Sequence, residues 1–412
     1  MDAREEFDQN ADTDANDEEI DCDRIRGDAI GDTVYSERFV LRVLIQLSQY
    51  QEDKWSEDLE SDLCVLWDMT ATSAVVYFLM KHDCLNILAS LIQSSSNPRL
   101  LEILVGIVGN MCCVREARAV VSEDTRLYGM LLQLLTCPDP QTLVQLSRCL
   151  QSFTWDLLRG DATLVADQHW LERQVVSGQL CSSLAFILSS SLNEELLMAI
   201  LDLLNTLCGL EINDKDYSRY FATTEMTDGM LECWNQLFIS CQDGSNFEFM
   251  NKQQEKSALH WVSILLAFAG HEAGREHLGK RARHIIRTLI LWIQEPDNGG
   301  SDTLLITTIS LLEALVSVCF CEEAFCKTIR IVRKTMEKNS CDFQNGETRE
   351  DLTFLSLKES FGNYCMEVLK CVERRRIDTI LMDCCNNKSI KFFWKIVQER
   401  DPDLVTPVDR SQ

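Results

Sequence analysis

Six prolines and 17 glycines are few for a chain of 412 residues. Sandwiches and doubly wound sheets use more of both in their turns, so the shortage argues for helices. The usual marks of catalysis are missing too. There is no G-x-S-x-G nucleophile turn and no G-x-x-x-x-G-K-[ST] phosphate loop. The 19 cysteines contain no C-x-x-C; the nearest approaches are Cys112-Cys113, Cys319-x-Cys321 and Cys384-Cys385. Zinc sites need ligands that converge from paired short spacings, and these do not. "HEAGREH", His271 to His277, imitates a metalloprotease motif. Its histidines are six apart rather than four, so they do not share a helix face. No enzyme activity, cofactor or metal is expected.

Positive charge is also short. Lys and Arg number 39 against 65 Asp and Glu, a net charge of −26. The first 32 residues hold thirteen acidic and three basic side chains; the other 380 hold 52 and 36. Such a surface repels nucleic acid and anionic lipid and favours basic protein partners. Direct nucleic-acid binding and membrane attachment are therefore not expected. "MDAREEFDQNADTDANDEE" is the opposite of a signal or transit peptide. The best membrane candidate, Leu304 to Cys321, carries Glu313 and several hydroxyls, and segments like it recur along the chain. That fits a buried helix of an array better than a span. Most cysteines lie in apolar runs, where a thiol packs as a small hydrophobe, as in reducing compartments.

What is abundant is helical periodicity, 46% hydrophobic residues arranged at spacings of three and four. The pattern also repeats. "RLLEILVGIVGNMC" (Arg99 to Cys112) aligns without gaps with "ELLMAILDLLNTLC" (Glu195 to Cys208) and "TLLITTISLLEALV" (Thr303 to Val316). "QTLVQLSRCLQSF" (Gln141 to Phe153) is a weaker copy, and a degenerate fifth unit runs from "GMLECWNQLF" into "KSALHWVSILLAFAG". Each copy follows a shorter amphipathic helix and a polar break, and Pro98, Pro138, Pro140 and Pro296 fall in those breaks. Units about 40 to 60 residues apart are the size of armadillo or HEAT repeats with insertions, which bury their faces only by stacking. The expected fold is all-α, an armadillo/HEAT-like solenoid over residues 33–400. A disordered acidic tail (1–32) precedes it and a C-terminal tail (401–412) follows. "DKDYSRYFATTEMTD", "QDGSNFEFMNKQQEK" and "EKNSCDFQNGETRED" are expected as rim loops.

"GDAIGDTVYS" (Gly27 to Ser36), "ESDLCVLWDMT" (Glu60 to Thr70) and "NPRLLEILVGIVGNMCC" (Asn97 to Cys113) resemble, in order, signature blocks of the serum-amyloid-A-like (SAAL) family. The likeness is specific over about residues 27–155; beyond it only the helical pattern and a loose match in "IKFFWKIVQERDPDLV" continue. The resemblance implies an armadillo-type fold without catalytic activity, located in the nucleus, with the cytoplasm also open to it, and promoting cell proliferation.

Three residues are candidates for contact with a protein partner in the solenoid groove. By resemblance to armadillo arrays, Asn110 stands where an asparagine bonds an extended peptide; the other reading is a cap on a local carbonyl. Ser152, Thr206 and Ala314 at the aligned places make no asparagine ladder. Trp67 is either a core anchor or an exposed hot spot, and Asp68 either caps the next helix or joins that hot spot. The pair Gly106 and Gly109 is flanked by apolar residues, not by the basic turn that clamps a nucleic-acid backbone. It reads as close helix packing. Lys280, Arg281, Arg283 and Arg287, and Lys370, Arg374, Arg375 and Arg376, are basic clusters on an acidic background. They read as exposed helix faces, nuclear-import signals or contacts for the acidic tail. The rival function is a chaperone of basic proteins, histones for example, that works through that tail.

Overall fold

Asn97 accepts hydrogen bonds from the backbone N–H of Arg99 and Leu100, and Pro98 follows at the first helical position. Asp139 and Pro140 repeat the arrangement, with Asp139 accepting from the N–H of Thr142. A cap followed by proline starts a helix at little cost, because the missing N–H would have had no partner there. Similar caps at Ser36, Ser56, Asn193, Asn251 and Asn386 open five other helices.

The computed structural model describes residues 28–154, 175, 177–212, 214–238, 251–293, 301–343 and 351–405. Among them are 18 α-helices. The first eight are α1 (Glu37–Ser48), α2 (Glu57–Met69), α3 (Ser73–Lys81), α4 (Cys84–Ser94), α5 (Pro98–Met111), α6 (Arg115–Glu123), α7 (Thr125–Gln133) and α8 (Pro140–Phe153). Then come α9 (Gln179–Ser190), α10 (Glu194–Cys208), α11 (Thr224–Leu237), α12 (Lys252–Ala269) and α13 (Glu272–Trp292). The last are α14 (Asp302–Leu315), α15 (Glu322–Phe343), α16 (Asp351–Cys371), α17 (Arg374–Cys384) and α18 (Asn387–Arg400).

The helices stack in two rows. One runs α2, α5, α8, α10, α12, α14, α16, α18, each packed on the next. The other runs α1, α4, α7, α9, α11, α13, α15, α17, with the short turn Leu134–Thr136 joining α7 to α9. The aligned repeats Arg99–Cys112, Gln141–Phe153, Glu195–Cys208 and Thr303–Val316 are α5, α8, α10 and α14, all in the first row. α12 supplies the degenerate unit in sequence order. One apolar core runs through the whole stack. In α5 every residue from Leu101 to Val108 is buried, which explains why this stretch is apolar all round rather than on one face.

Four boundaries differ from the sequence reading. Residues 28–32 are not tail: Ile30 is buried, and Asp28 accepts from the Ser36 hydroxyl and the Arg38 N–H, closing the entrance to α1. The rest of the acidic tail, residues 1–27, lies outside the described residues. "DKDYSRYFATTEMTD" is not a plain loop. It holds a two-residue antiparallel pairing (Glu211–Ile212 with Lys215–Asp216), a turn that buries Tyr217 and Phe221, and the start of α11. In "EKNSCDFQNGETRED" residues 337–343 continue α15, and 344–350 lie outside the described residues; so does 242–250 of "QDGSNFEFMNKQQEK". Finally, Pro402–Val405 forms a turn packed on α18, so the C-terminal tail begins later than 401. The membrane candidate is α14, which ends at Leu315; no single described helix is long and apolar enough to cross a membrane.

Candidate functional site

α2 carries Trp67 to the surface of α5. A Cβ added at Gly106 would overlap Trp67 Cε2 and Cζ2 and come 2.7 Å from Nε1. The indole therefore lies flat on a helix that has no side chain at that point. Trp67 is half-buried and packed against the core, so it anchors α2 on α5. Gly109 meets the Cys149 backbone and Cβ on α8 at 3.5–3.8 Å, the close approach expected of it.

Asn110 takes the capping role. Its side-chain amide donates to the Trp67 carbonyl and to the Thr70 hydroxyl, both at 3.1 Å, closing the C-terminus of α2. Both amide donors a groove asparagine would offer to a peptide are thus already bonded, because the last carbonyls of α2 lack helical partners. Asp68 does not cap the next helix. α3 opens after Thr72 without a side-chain cap, and Asp68 stands exposed in the last turn of α2.

The same face is bridged from one first-row helix to the next. Glu60 on α2 pairs with Arg99 on α5 at 2.7 Å, and Arg99 also pairs with Glu102 at 2.7 Å. Thr142 on α8 donates to the Pro98 carbonyl. Arg148 reaches Glu195 at 3.1 Å, and Gln151 donates to Thr206 at 3.1 Å, joining α8 to α10. Asp202 on α10 receives Lys256 at 2.8 Å and His260 Nδ1 at 2.7 Å from α12. Ser310 meets Ser360 between α14 and α16, and Lys358 meets Glu399 at 2.7 Å between α16 and α18. Half-exposed pairs such as these contribute roughly 0.2–1 kcal/mol each. Their effect is geometric: they fix each helix against the next. Pairs of this kind are invisible to motif reading, since the partners are 39 to 55 residues apart. That separation is the repeat length, which is the one sequence signal that could have found them.

Asp202 makes the face sensitive to acid. Half-burial pushes its carboxyl up, but hydrogen bonds from His260 and Lys256 outweigh this and hold it below its ordinary 3.8. A carboxylate depressed by folding contributes stability above its unfolded value, and that stability is lost as pH falls through the folded one. Wild type should therefore lose stability below about pH 4 by more than Asp202→Asn does. Urea unfolding at pH 7 and pH 3 measures this, and equal losses in the two proteins would refute it.

The histidines of "HEAGREH" are structural. His271 Nε2 lies 2.6 Å from the Ser218 hydroxyl and 3.1 Å from Asp216, and His277 Nδ1 lies 2.9 Å from the Thr224 hydroxyl. Among the described residues no group of three or more His, Cys, Asp or Glu could hold a metal ion. A 630 Å³ cleft between α7 and α9 is lined by Gly129, Leu132, Gln133, Thr136, Gln179 and Ser183, none of them an acid, a base or a metal ligand.

The basic clusters sit on second-row helices α13 and α17, and most of their charge is paired. Lys280 bonds Glu276 at 2.9 Å, and Arg281 forks onto Asp228 at 2.7 and 3.0 Å. Arg374 lies over the Trp394 ring and donates to the Leu404 carbonyl, while Arg376 pairs with Glu322 at 2.8 Å. Arg283 and Arg375 are exposed. An import signal must be read as free basic chain, and four of these six side chains are committed within the fold.

No family model matches the chain. It is 36% identical to Protein saal1 of Danio rerio over 219 residues, 51% of this chain and 45% of that protein. It is 34% identical to Protein SAAL1 of Homo sapiens over 199 residues, 45% of this chain and 40% of that one. The chain thus matches less than half the length of these relatives. In structure it resembles SYS-1 in its complex with POP-1, at a TM-score of 0.51 and 12% identity over 86% of this chain and 62% of that one. The fold is an armadillo-like α-solenoid, and the resemblance to SAAL proteins covers about half of the chain.

Proposed function

We propose that this chain is a non-enzymatic protein-interaction scaffold of the SAAL type, which holds a partner along its first-row helices. By the resemblance it acts in the nucleus in promoting cell proliferation. The observation that carries the scaffold reading is the continuous stack of α2, α5, α8, α10, α12, α14, α16 and α18. Its polar side chains bond one another, which leaves a rigid strip of half-exposed small and apolar residues such as Ala199, Ser263, Ile306 and Ala314. A strip of this composition suits the apolar face of a partner helix or an extended segment. SYS-1, solved in complex with POP-1, is a precedent for a partner on this fold.

The test uses Asn205→Arg/Ser263→Arg, two half-exposed positions on α10 and α12. Quantitative affinity purification from nuclear and cytosolic extracts should retain partners with wild type and lose the same partners with the double variant. Circular dichroism should be unchanged. Identical partner sets for two folded proteins would sink the groove reading.

Charge favours one second reading. Residues 1–250 hold 42 acidic and 16 basic side chains, whereas residues 251–412 hold 23 of each. A chaperone of basic proteins would use that acidic half, and its binding would vanish at raised salt and on deletion of residues 1–27.

A further inference from the structure

We propose that Cys326 and Cys385 are an oxidation-sensitive pair, which a hydroperoxide converts into a disulfide between α15 and the end of α17. Cys326 lies in the second turn of α15, 4% exposed. Cys385 is the residue that ends α17; it is half-buried, with one side packed on the core. α15 packs on both α17 and α18, so the junction between those two helices is pressed onto Cys326. The two thiols are hydrogen-bonded, and Cys384 also reaches Cys326. Arg330, one turn beyond Cys326, places its charge beside Cys385.

These contacts divide the labour between the two sulfurs. The hydrogen bond from Cys326 holds Cys385 down at about 7 against its burial, with help from Arg330, while Cys326 is pushed up. An accessible thiolate beside a second thiol is the arrangement that oxidation selects. Other cysteines show the contrast. Cys112 and Cys149 are also bonded to each other, but both are fully buried, and burial pushes Cys112 up. Cys113 and Cys371 are exposed, yet burial of the sulfur raises the first, and burial together with Glu367 raises the second. Among the described cysteines only Cys385 has a lowered thiol.

The reaction balances without a cofactor. The Cys385 thiolate attacks the hydroperoxide, the O–O bond breaks, and water or an alcohol leaves after taking up a proton. Cys385 is then a sulfenic acid. Cys326 sulfur attacks it, the S–O bond breaks, and the hydroxide leaves as water with the Cys326 proton. Two thiols are oxidised and one peroxide is reduced. Thiol–disulfide exchange reverses the bond. The product ties α15 to the start of α18 and so locks the last helices of the stack.

The experiment treats the reduced full chain with a small excess of hydrogen peroxide, blocks free thiols with N-ethylmaleimide and maps non-reduced peptides by fragmentation. The first cross-link should join Cys326 to Cys385. It should be absent in Cys385→Ser and present in Cys384→Ser, and Cys326→Ala should accumulate a dimedone-reactive Cys385. Three results would overturn the proposal: first modification at Cys113 or Cys371, a link through Cys384, or Cys385 advancing to the sulfinic acid in wild type without any link. Fragment ions assign the sulfur in wild type, so the answer does not depend on a variant that folds.

Discussion

Gly106→Ala should destabilise the solenoid by about 2 kcal/mol, although alanine is the better helix former by about 1 kcal/mol. The cause is Trp67. The new methyl would overlap two atoms of the indole, and an indole moves only as a rigid plate. The ring must swing off α5 and lose its contact, or α2 must separate from α5. Either movement also stretches the two hydrogen bonds by which Asn110 holds the end of α2. The prediction has a sign test. In a Trp67→Ala background the clash is gone, and Gly106→Ala should become neutral or stabilising by up to about 1 kcal/mol, as helix propensity reasserts itself. The coupling between the two positions is then about 2–3 kcal/mol. Urea midpoints of wild type, the two single variants and the double variant complete the cycle. A Gly106→Ala cost that is the same in both backgrounds would show that Trp67 is not what requires a glycine.

This pair shows where sequence reading ends. The period of apolar residues in "NPRLLEILVGIVGNMCC" makes the stretch a helix, its burial all round makes it a central one, and its likeness to Glu195–Cys208 and Thr303–Val316 makes it one of an array. Gly106 reads as a packing glycine from its apolar flanks. What packs on it does not appear, because Trp67 is 39 residues away and nothing local couples them. Asn110 fails for the same reason. Its neighbours are compatible with a peptide contact or a cap, and only the position of the Trp67 carbonyl decides. The short helices α3 and α6 are also hard to see, since each has nine residues, too few for a period of 3.6 to stand out. Ile30 is a single apolar residue at the end of an acidic run, and its burial depends on α1 folding over it. The basic clusters illustrate the converse. Clusters of charge are conspicuous in a sequence, whereas their partners Asp228 and Glu322 lie more than 50 residues away.

Trp234→Ala should have the largest effect of any single change in the described residues, about 3–5 kcal/mol. Trp234 is 1% exposed on α11 and joins three elements. Its ring centroid is 5.0 Å from Trp261 of α12, 4.9 Å from Trp292 at the end of α13, and 4.5 Å from Phe238 just beyond α11. Removing it leaves a cavity walled by three aromatic rings that are themselves pinned. Trp261 donates its indole N–H to the Met230 carbonyl at 2.7 Å, and Trp292 stands edge-on to Phe238. Such a site cannot collapse, so the loss approaches the upper end of the range. Trp261→Phe keeps a ring in place and should cost only about 1–2 kcal/mol, one hydrogen bond and a small volume. The consequences of Trp234→Ala should also be local. In a stacked array each unit contacts only its neighbours, so stability is a chain of nearest-neighbour terms. Weakening the α11–α13 link should split unfolding into two transitions, with α1–α8 surviving to higher urea than α12–α18. Amide exchange should show protection falling in α11, α12 and α13 while α4 and α5 keep theirs. A uniform fall in protection from α1 to α18 would mean that the molecule folds as one cooperative unit rather than as a repeat array.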